Sequence, residues 1–90
     1  MIPVAGKAMR ILYFAWVREK IGAAEEDLGP LPATTVGALI EILRARSPRH
    51  AEALAERAKL RVAVNQDFAG DETPVNPGDE VAIFPPVTGG

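Results

Sequence analysis

A chain of 90 residues makes one domain with a thin core, burying roughly 60–65% of its unfolded surface. Its 48% hydrophobic and 24% charged content excludes a disordered chain, and a net charge of −2 excludes the basic footprint of a nucleic-acid binder. No apolar run reaches the roughly 20 residues of a membrane span and no signal-peptide pattern opens the chain, so a soluble cytoplasmic protein is expected, with no membrane partner.

The chain has no cysteine, which rules out disulfides, zinc knuckles and side-chain thiol chemistry. No metal site and no bound cofactor are expected. The single serine and single histidine, Ser47 and His50, stand in RSPRH, which reads as a basic turn without burial. A Ser-His-Asp nucleophile therefore has little to rest on, and the chain reads as non-catalytic by itself.

Residues 1–8, MIPVAGKA, carry no period and are expected to be a flexible leader, a natural extension or an expression scar. Residues 9–16, MRILYFAW, form a β-branched and aromatic run that predicts a strand with both faces apolar. Ile11 and Tyr13 fall on one face, with Leu12, Phe14 and Trp16 on the other. VREKIG follows as a short helical turn closed by Gly22. A weaker strand is expected over EEDLGPL, where Gly29 and Pro30 suggest an edge or a bulge.

The main helix begins after LPATT, with Thr34 or Thr35 as N-cap. Val36, Leu39, Ile40 and Leu43 recur at i, i+3, i+4 and i+7 and form one apolar face. Arg44, Arg46 and Arg49 lie in and beyond the last turn, where they complement the helix dipole and lie on a solvated face, and Pro48 stops the helix. A second, shorter helix is expected over AEALAERA. LRVAVNQ then alternates as a strand with one buried face, NQDFAGDETPVNPGD is turn-rich with a strong signal at Pro77-Gly78-Asp79, and EVAIFPP is the last strand.

That order predicts an α+β roll, a mixed sheet packed on one main helix. One helix covers one face. If Ile11, Tyr13, Val62, Val64, Val81 and Ile83 face it, then Phe14 and Phe84 point the other way, and Phe68 joins them at one edge. A cluster of three phenylalanines approaches the few hundred Å² that monomers rarely expose, and it predicts a protein-binding surface unless the leader or a loop covers it. Beyond it, Pro85 and Pro86 cannot donate ladder hydrogen bonds, so the chain is expected to leave the sheet as an extended arm. From Pro86 through Val87, Thr88 and Gly89 to Gly90 that arm spans roughly 17 Å, and its glycines lack the Cβ atoms that would bar a narrow channel. A carboxylate there is a poor electrophile until it is activated, for example as an acyl adenylate. With no cysteine, sulfur could be carried only as a C-terminal thiocarboxylate.

ILYFAWVREKIG, VAVN and PGDEVAIFPPVTGG, in this order and spacing, resemble the small subunit of molybdopterin synthase, the MoaD family of ubiquitin-like sulfur carriers. The resemblance covers residues 9–90. The leader and the insertion-like VNPGD depart from the pattern without touching the chemistry. It implies a ubiquitin-like β-grasp domain over 9–85 and a flexible Gly-Gly tail over 86–90. It further implies that an adenylating enzyme uses ATP to activate Gly90 and that a sulfurtransferase system makes the thiocarboxylate. The tail, Pro86 to Gly90, then inserts into the large synthase subunit and donates sulfur to cyclic pyranopterin monophosphate, within a heterotetramer. Phe14, Phe68 and Phe84 correspond to the family's contact surface. The alternatives are a carrier for thiamine synthesis or tRNA thiolation, a ubiquitin-like protein modifier, and a binding module whose terminus merely docks.

Overall fold

The computed structural model describes residues 8–29 and 31–86. Residues 1–7 of the expected leader and residues 87–90 of the expected tail lie outside the described residues. The elements in chain order are β1 (Met9–Tyr13), α1 (Ala15–Ile21), β2 (Glu25–Leu28), β3 (Thr34–Thr35), α2 (Val36–Arg44), α3 (Pro48–Ala53), β4 (Arg61–Val64), β5 (Asp67–Ala69), β6 (Pro74–Val75) and β7 (Glu80–Phe84), with a 3-10 turn at Arg57–Lys59 before β4. Five strands form one sheet in the order β2-β1-β7-β4-β5, and β3 pairs with β6 in a separate two-stranded ribbon.

The first and last strands lie side by side at the centre and run parallel, with Ile11 opposite Val81 and Tyr13 opposite Ile83. The other pairings of this sheet are antiparallel, so the expected mixed sheet is present. Period-2 alternation decides which side chains are buried. Met9, Ile11, Tyr13, Val62, Val64, Val81 and Ile83 join Val36, Leu39, Ile40 and Leu43 of α2 in one core cluster. The six residues expected to face the main helix are therefore all buried.

α2 starts where the threonines place it. The Thr35 hydroxyl oxygen accepts from the Ala38 N–H at 3.3 Å, and the N–H groups of Val36 and Gly37 donate to Thr73 and Asp71 carbonyls at 3.0 Å each. These bonds satisfy donors that a helix start otherwise leaves unpaired. α1 ends at Gly22, whose φ of +90° is the left-handed C-cap conformation and whose N–H donates to the Arg18 carbonyl at 2.8 Å.

Four expectations are corrected. The first strand stops at Tyr13, and Trp16 lies in α1, packed against the core instead of lying on the open face. Ala15, at φ +54°, turns the chain out of the strand alternation between them. The helix expected over residues 51–58 is α3, six residues long and starting three residues earlier at Pro48, followed by the separate 3-10 turn. Ser47 caps α3 and Pro48 occupies its first turn, so the proline that ends one helix opens the next. Finally, β5 and β6 lie inside the segment read as turn. β4 and β5 are joined by Asn65-Gln66 alone, both at positive φ (50° and 75°), as a two-residue hairpin of the I′ kind requires.

Candidate functional site

The sheet face turned away from α2 is built by the residues that alternate with the core. Across β1, β7, β4 and β5, the paired positions Leu12, Ala82, Ala63 and Phe68 form one row. Beside it, Phe84 pairs with Arg61, and the Phe14 N–H donates to the Ile83 carbonyl at 3.2 Å. The three phenylalanines expected to cluster thus share this open face. Phe14 is 45% exposed and Phe68 83% exposed, while Phe84 is half-buried. The Phe68 and Phe84 rings lie 6.1 Å apart at 48°, a tilted aromatic pair. Ala63, opposite Phe68, is only 9% exposed although it lies outside the core cluster. Two alanines thus form a shallow floor with aromatic rings at its margins.

The other end of the same face is polar. Arg10 pairs with Glu25 and Asp27 at 3.8 Å each. These charges sit on and next to β2, an edge strand, where they discourage further strand pairing. Arg10 is opposite Glu80 at the start of β7, whereas Phe84 ends that strand, so the apolar patch lies where Pro85 and Pro86 leave the sheet. Pro86 is the last described residue. Val87, Thr88, Gly89 and Gly90, the other residues of the expected tail site, lie outside the described residues.

The structure corrects the reading of RSPRH. His50 is 7% exposed, the one buried polar or charged residue among those described. Its Nδ1 lies 2.8 Å from the Ser47 hydroxyl, and its Nε2 lies 2.9 and 3.1 Å from the Glu26 carboxylate oxygens. Glu26 also accepts from the Tyr13 hydroxyl at 3.0 Å and lies 3.6 Å from Arg46. Serine, histidine and a carboxylate do therefore meet. The serine, however, accepts the His50 backbone N–H at 3.2 Å as the N-cap of α3, three residues away on the same turn. We read this cluster as a polar tie between β1, β2 and α3. Burial, then the nearby Glu26 charge and the hydrogen bond to it, push the Tyr13 hydroxyl well above the ordinary tyrosine value, with Arg46 opposing. The i, i+3 spacing of Ser47 and His50 was visible in the sequence; the long-range Glu26 partner was not.

Two of the helix-end arginines, Arg44 and Arg46, are likewise tied. Arg44 Nε donates to the Leu54 carbonyl at 2.7 Å, Nη2 to Ala55 at 3.2 Å, and Nη1 to Glu41 at 2.6 Å. Arg44 thereby fixes the end of α2 to the segment after α3, a role beyond dipole complementarity. A cleft of about 260 Å³ between α1 and α3 is lined by Trp16, Lys20, Glu52, Ala53, Glu56 and Lys59. Its charges pair among themselves, Lys20 with Glu52 at 3.5 Å and Lys59 with Glu56 at 3.0 Å. Among the described residues no group of His, Asp and Glu side chains has the arrangement of a metal site, and no helix is long and apolar enough to cross a membrane.

The ThiS family model matches residues 11–90, from the first strand through the terminal glycines. The chain belongs to the ThiS family. Within it, the chain is 48% identical over 83 residues to the molybdopterin synthase sulfur carrier subunit of Escherichia coli K12, covering 91% of this chain and 99% of that protein. A putative molybdopterin converting factor, subunit 1, from Pyrococcus furiosus has a similar structure, with a TM-score of 0.75 and 28% identity over 91% of this chain and all of that one. The small archaeal modifier protein 1 of Haloferax volcanii is similar at a TM-score of 0.70 and 27% identity, again over 91% of this chain and all of that one. The mixed sheet on one main helix is thus the ubiquitin-like β-grasp of this ThiS-family protein.

Proposed function

We propose that the chain is the sulfur carrier subunit of a molybdopterin synthase and serves molybdenum cofactor biosynthesis. The observation that carries this reading is the 48% identity, over nearly the whole of both chains, to a protein of that name. The architecture supports it: an apolar face with three phenylalanines lies at the sheet end from which the Pro-Pro segment leaves. The large synthase subunit docks on Phe14, Phe68 and Phe84, and the tail, Pro86 to Gly90, enters its active site.

The chemistry resides in the Gly90 carboxylate. An adenylating enzyme lets a carboxylate oxygen attack the α-phosphate of ATP, releasing pyrophosphate and leaving an acyl adenylate. A sulfurtransferase system supplies the sulfur that displaces AMP, leaving a thiocarboxylate. The thiocarboxylate sulfur bonds to cyclic pyranopterin monophosphate, and water then cleaves the acyl carbon–sulfur bond, supplying the oxygen that restores the carboxylate; two such transfers build a dithiolene. The folded domain carries, presents and docks the tail, and the bond-making groups belong to its partners.

The deciding experiment mixes protein bearing a C-terminal thiocarboxylate with the cognate large subunit and the cyclic pterin. Dithiolene should form while the intact mass of the small protein returns from the sulfur to the oxygen form. Retention of sulfur with no pterin product would overturn the pathway. The second reading, a protein modifier joined to lysines, is favoured by the likeness to the archaeal modifier protein. In a lysate supplied with ATP it predicts a mass increment of the whole chain on target proteins.

A further inference from the structure

The open face holds two arginines in opposite circumstances. Arg10 has Glu25 and Asp27 within 3.8 Å and is neutralised by its own chain. Arg61 sits directly opposite Phe84 and is exposed, while Phe14 follows Tyr13, the residue paired with Ile83 on the neighbouring strand. Among the described residues it pairs with no carboxylate. Its Nη1 donates to the Ala58 carbonyl at 3.4 Å and the Leu60 carbonyl at 3.1 Å, both on the segment that leads into β4. A guanidinium has five N–H donors in a planar fork, so these contacts leave the other nitrogens free to donate outward.

A partner that covers Phe14 and Phe84 must also cover Arg61. Burying an unpaired guanidinium against apolar surface is costly, and only a partner acceptor of opposite charge offsets that cost. A carboxylate fits the fork with two parallel hydrogen bonds, which adds geometry to charge. We propose that Arg61 is a specificity-determining residue of the docking face, and that the cognate large subunit presents an aspartate or glutamate to it beside the pocket that receives Phe84. The apolar patch alone would accept many apolar surfaces. A cation within it rejects every one that lacks the matching anion. This inference rests on the docking role proposed above for the three phenylalanines.

The test measures the affinity of the cognate large subunit for the wild-type chain and for R61M, R61E and F84D, at low and high salt. Thermal melting of each variant confirms folding. R61M keeps an apolar stem without charge, and should bind about tenfold more weakly with a flattened salt dependence; R61E should lose about a hundredfold or more, as expected when one member of a buried charge pair is removed or reversed. Replacing the facing acidic residue of the large subunit with lysine should restore binding of R61E. If R61M and R61E both bind within about threefold of wild type while F84D abolishes binding, the docking face stands and the role of Arg61 is overturned. If F84D also binds normally, the docking reading itself falls, and Arg61 with it.

Discussion

The two faces of the five-stranded sheet are made by alternate residues of the same strands, and they have been put to different use. Toward α2, Ile11, Tyr13, Val62, Val81 and Ile83 are shut into a core cluster with the helix. Away from it, Leu12, Ala82, Ala63, Phe68 and Phe84 form a surface that none of the described helices covers, and Phe68 stands largely in solvent. Neighbouring residues Ile83 and Phe84 thus differ in burial although both are large and apolar. A thin-cored domain gains little by leaving phenylalanine in water unless another molecule later covers it. The contrast teaches that apolar content alone does not mark a core. Alternation combined with the count of covering helices does.

The largest effect should come from the closed face. Ile83→Ala removes a fully buried side chain and should cost about 2–5 kcal/mol, lowering the melting temperature by about 10 °C or more. A shift under about 2 °C in a thermal melt would remove the basis for calling that face the structural one.

Next comes the polar tie at the margin of the core. Tyr13→Phe deletes the donor to Glu26 and should cost about 1–3 kcal/mol in urea titration, through a carboxylate left short of a partner. The same group sets an alkaline limit. The folded state holds the phenol proton to higher pH than the unfolded chain does, so above the ordinary value of 10.0 the unfolded state binds fewer protons and stability falls as pH rises. Tyr13 is the chain's single tyrosine, so phenolate absorbance should appear together with loss of structure rather than before it. Ionisation near pH 10 in a fully folded protein would show that the hydroxyl is not held.

Gly22→Ala should cost about 1 kcal/mol, because the cap is at φ +90° and alanine is disfavoured there. A neutral result in denaturant titration would mean that this cap tolerates a side chain. Smallest of all, Phe68→Ala should change stability by no more than about 0.5 kcal/mol while weakening large-subunit binding in a titration calorimeter. Equal losses of stability and binding would blur the distinction between the two faces.

Much of this division was legible in the residues. The period-2 pattern of VAIF and RVAV and the i, i+3, i+4, i+7 pattern of α2 assigned the buried side, and the same alternation turned Phe84 outward. Trp16 was misplaced because alternation was carried through Ala15, whose left-handed conformation no local signal announces in an alanine. β5 was hidden because its hairpin uses Asn65-Gln66 rather than the Asn-Gly that marks such turns. Asn65 is instead held by tertiary bonds, its side chain donating to Asp79 at 3.1 Å and accepting from the Glu80 N–H at 3.0 Å. The burial of His50 depended on Glu26, 24 residues away, and contacts at that separation leave no periodic trace. Arg61 was visible only as the polar half of an alternating strand until its register opposite Phe84 placed it among phenylalanines.

The most direct test of the two-faced sheet is a titration of isotope-labelled chain with the large subunit, followed by backbone amide chemical shifts. The perturbed amides should be those of Leu12, Phe14, Arg61, Ala63, Phe68, Ala82 and Phe84, together with the tail, and α2 should be unchanged. Perturbation centred on α2, around its exposed Ile42, would place the partner on the opposite side of the molecule and contradict the account.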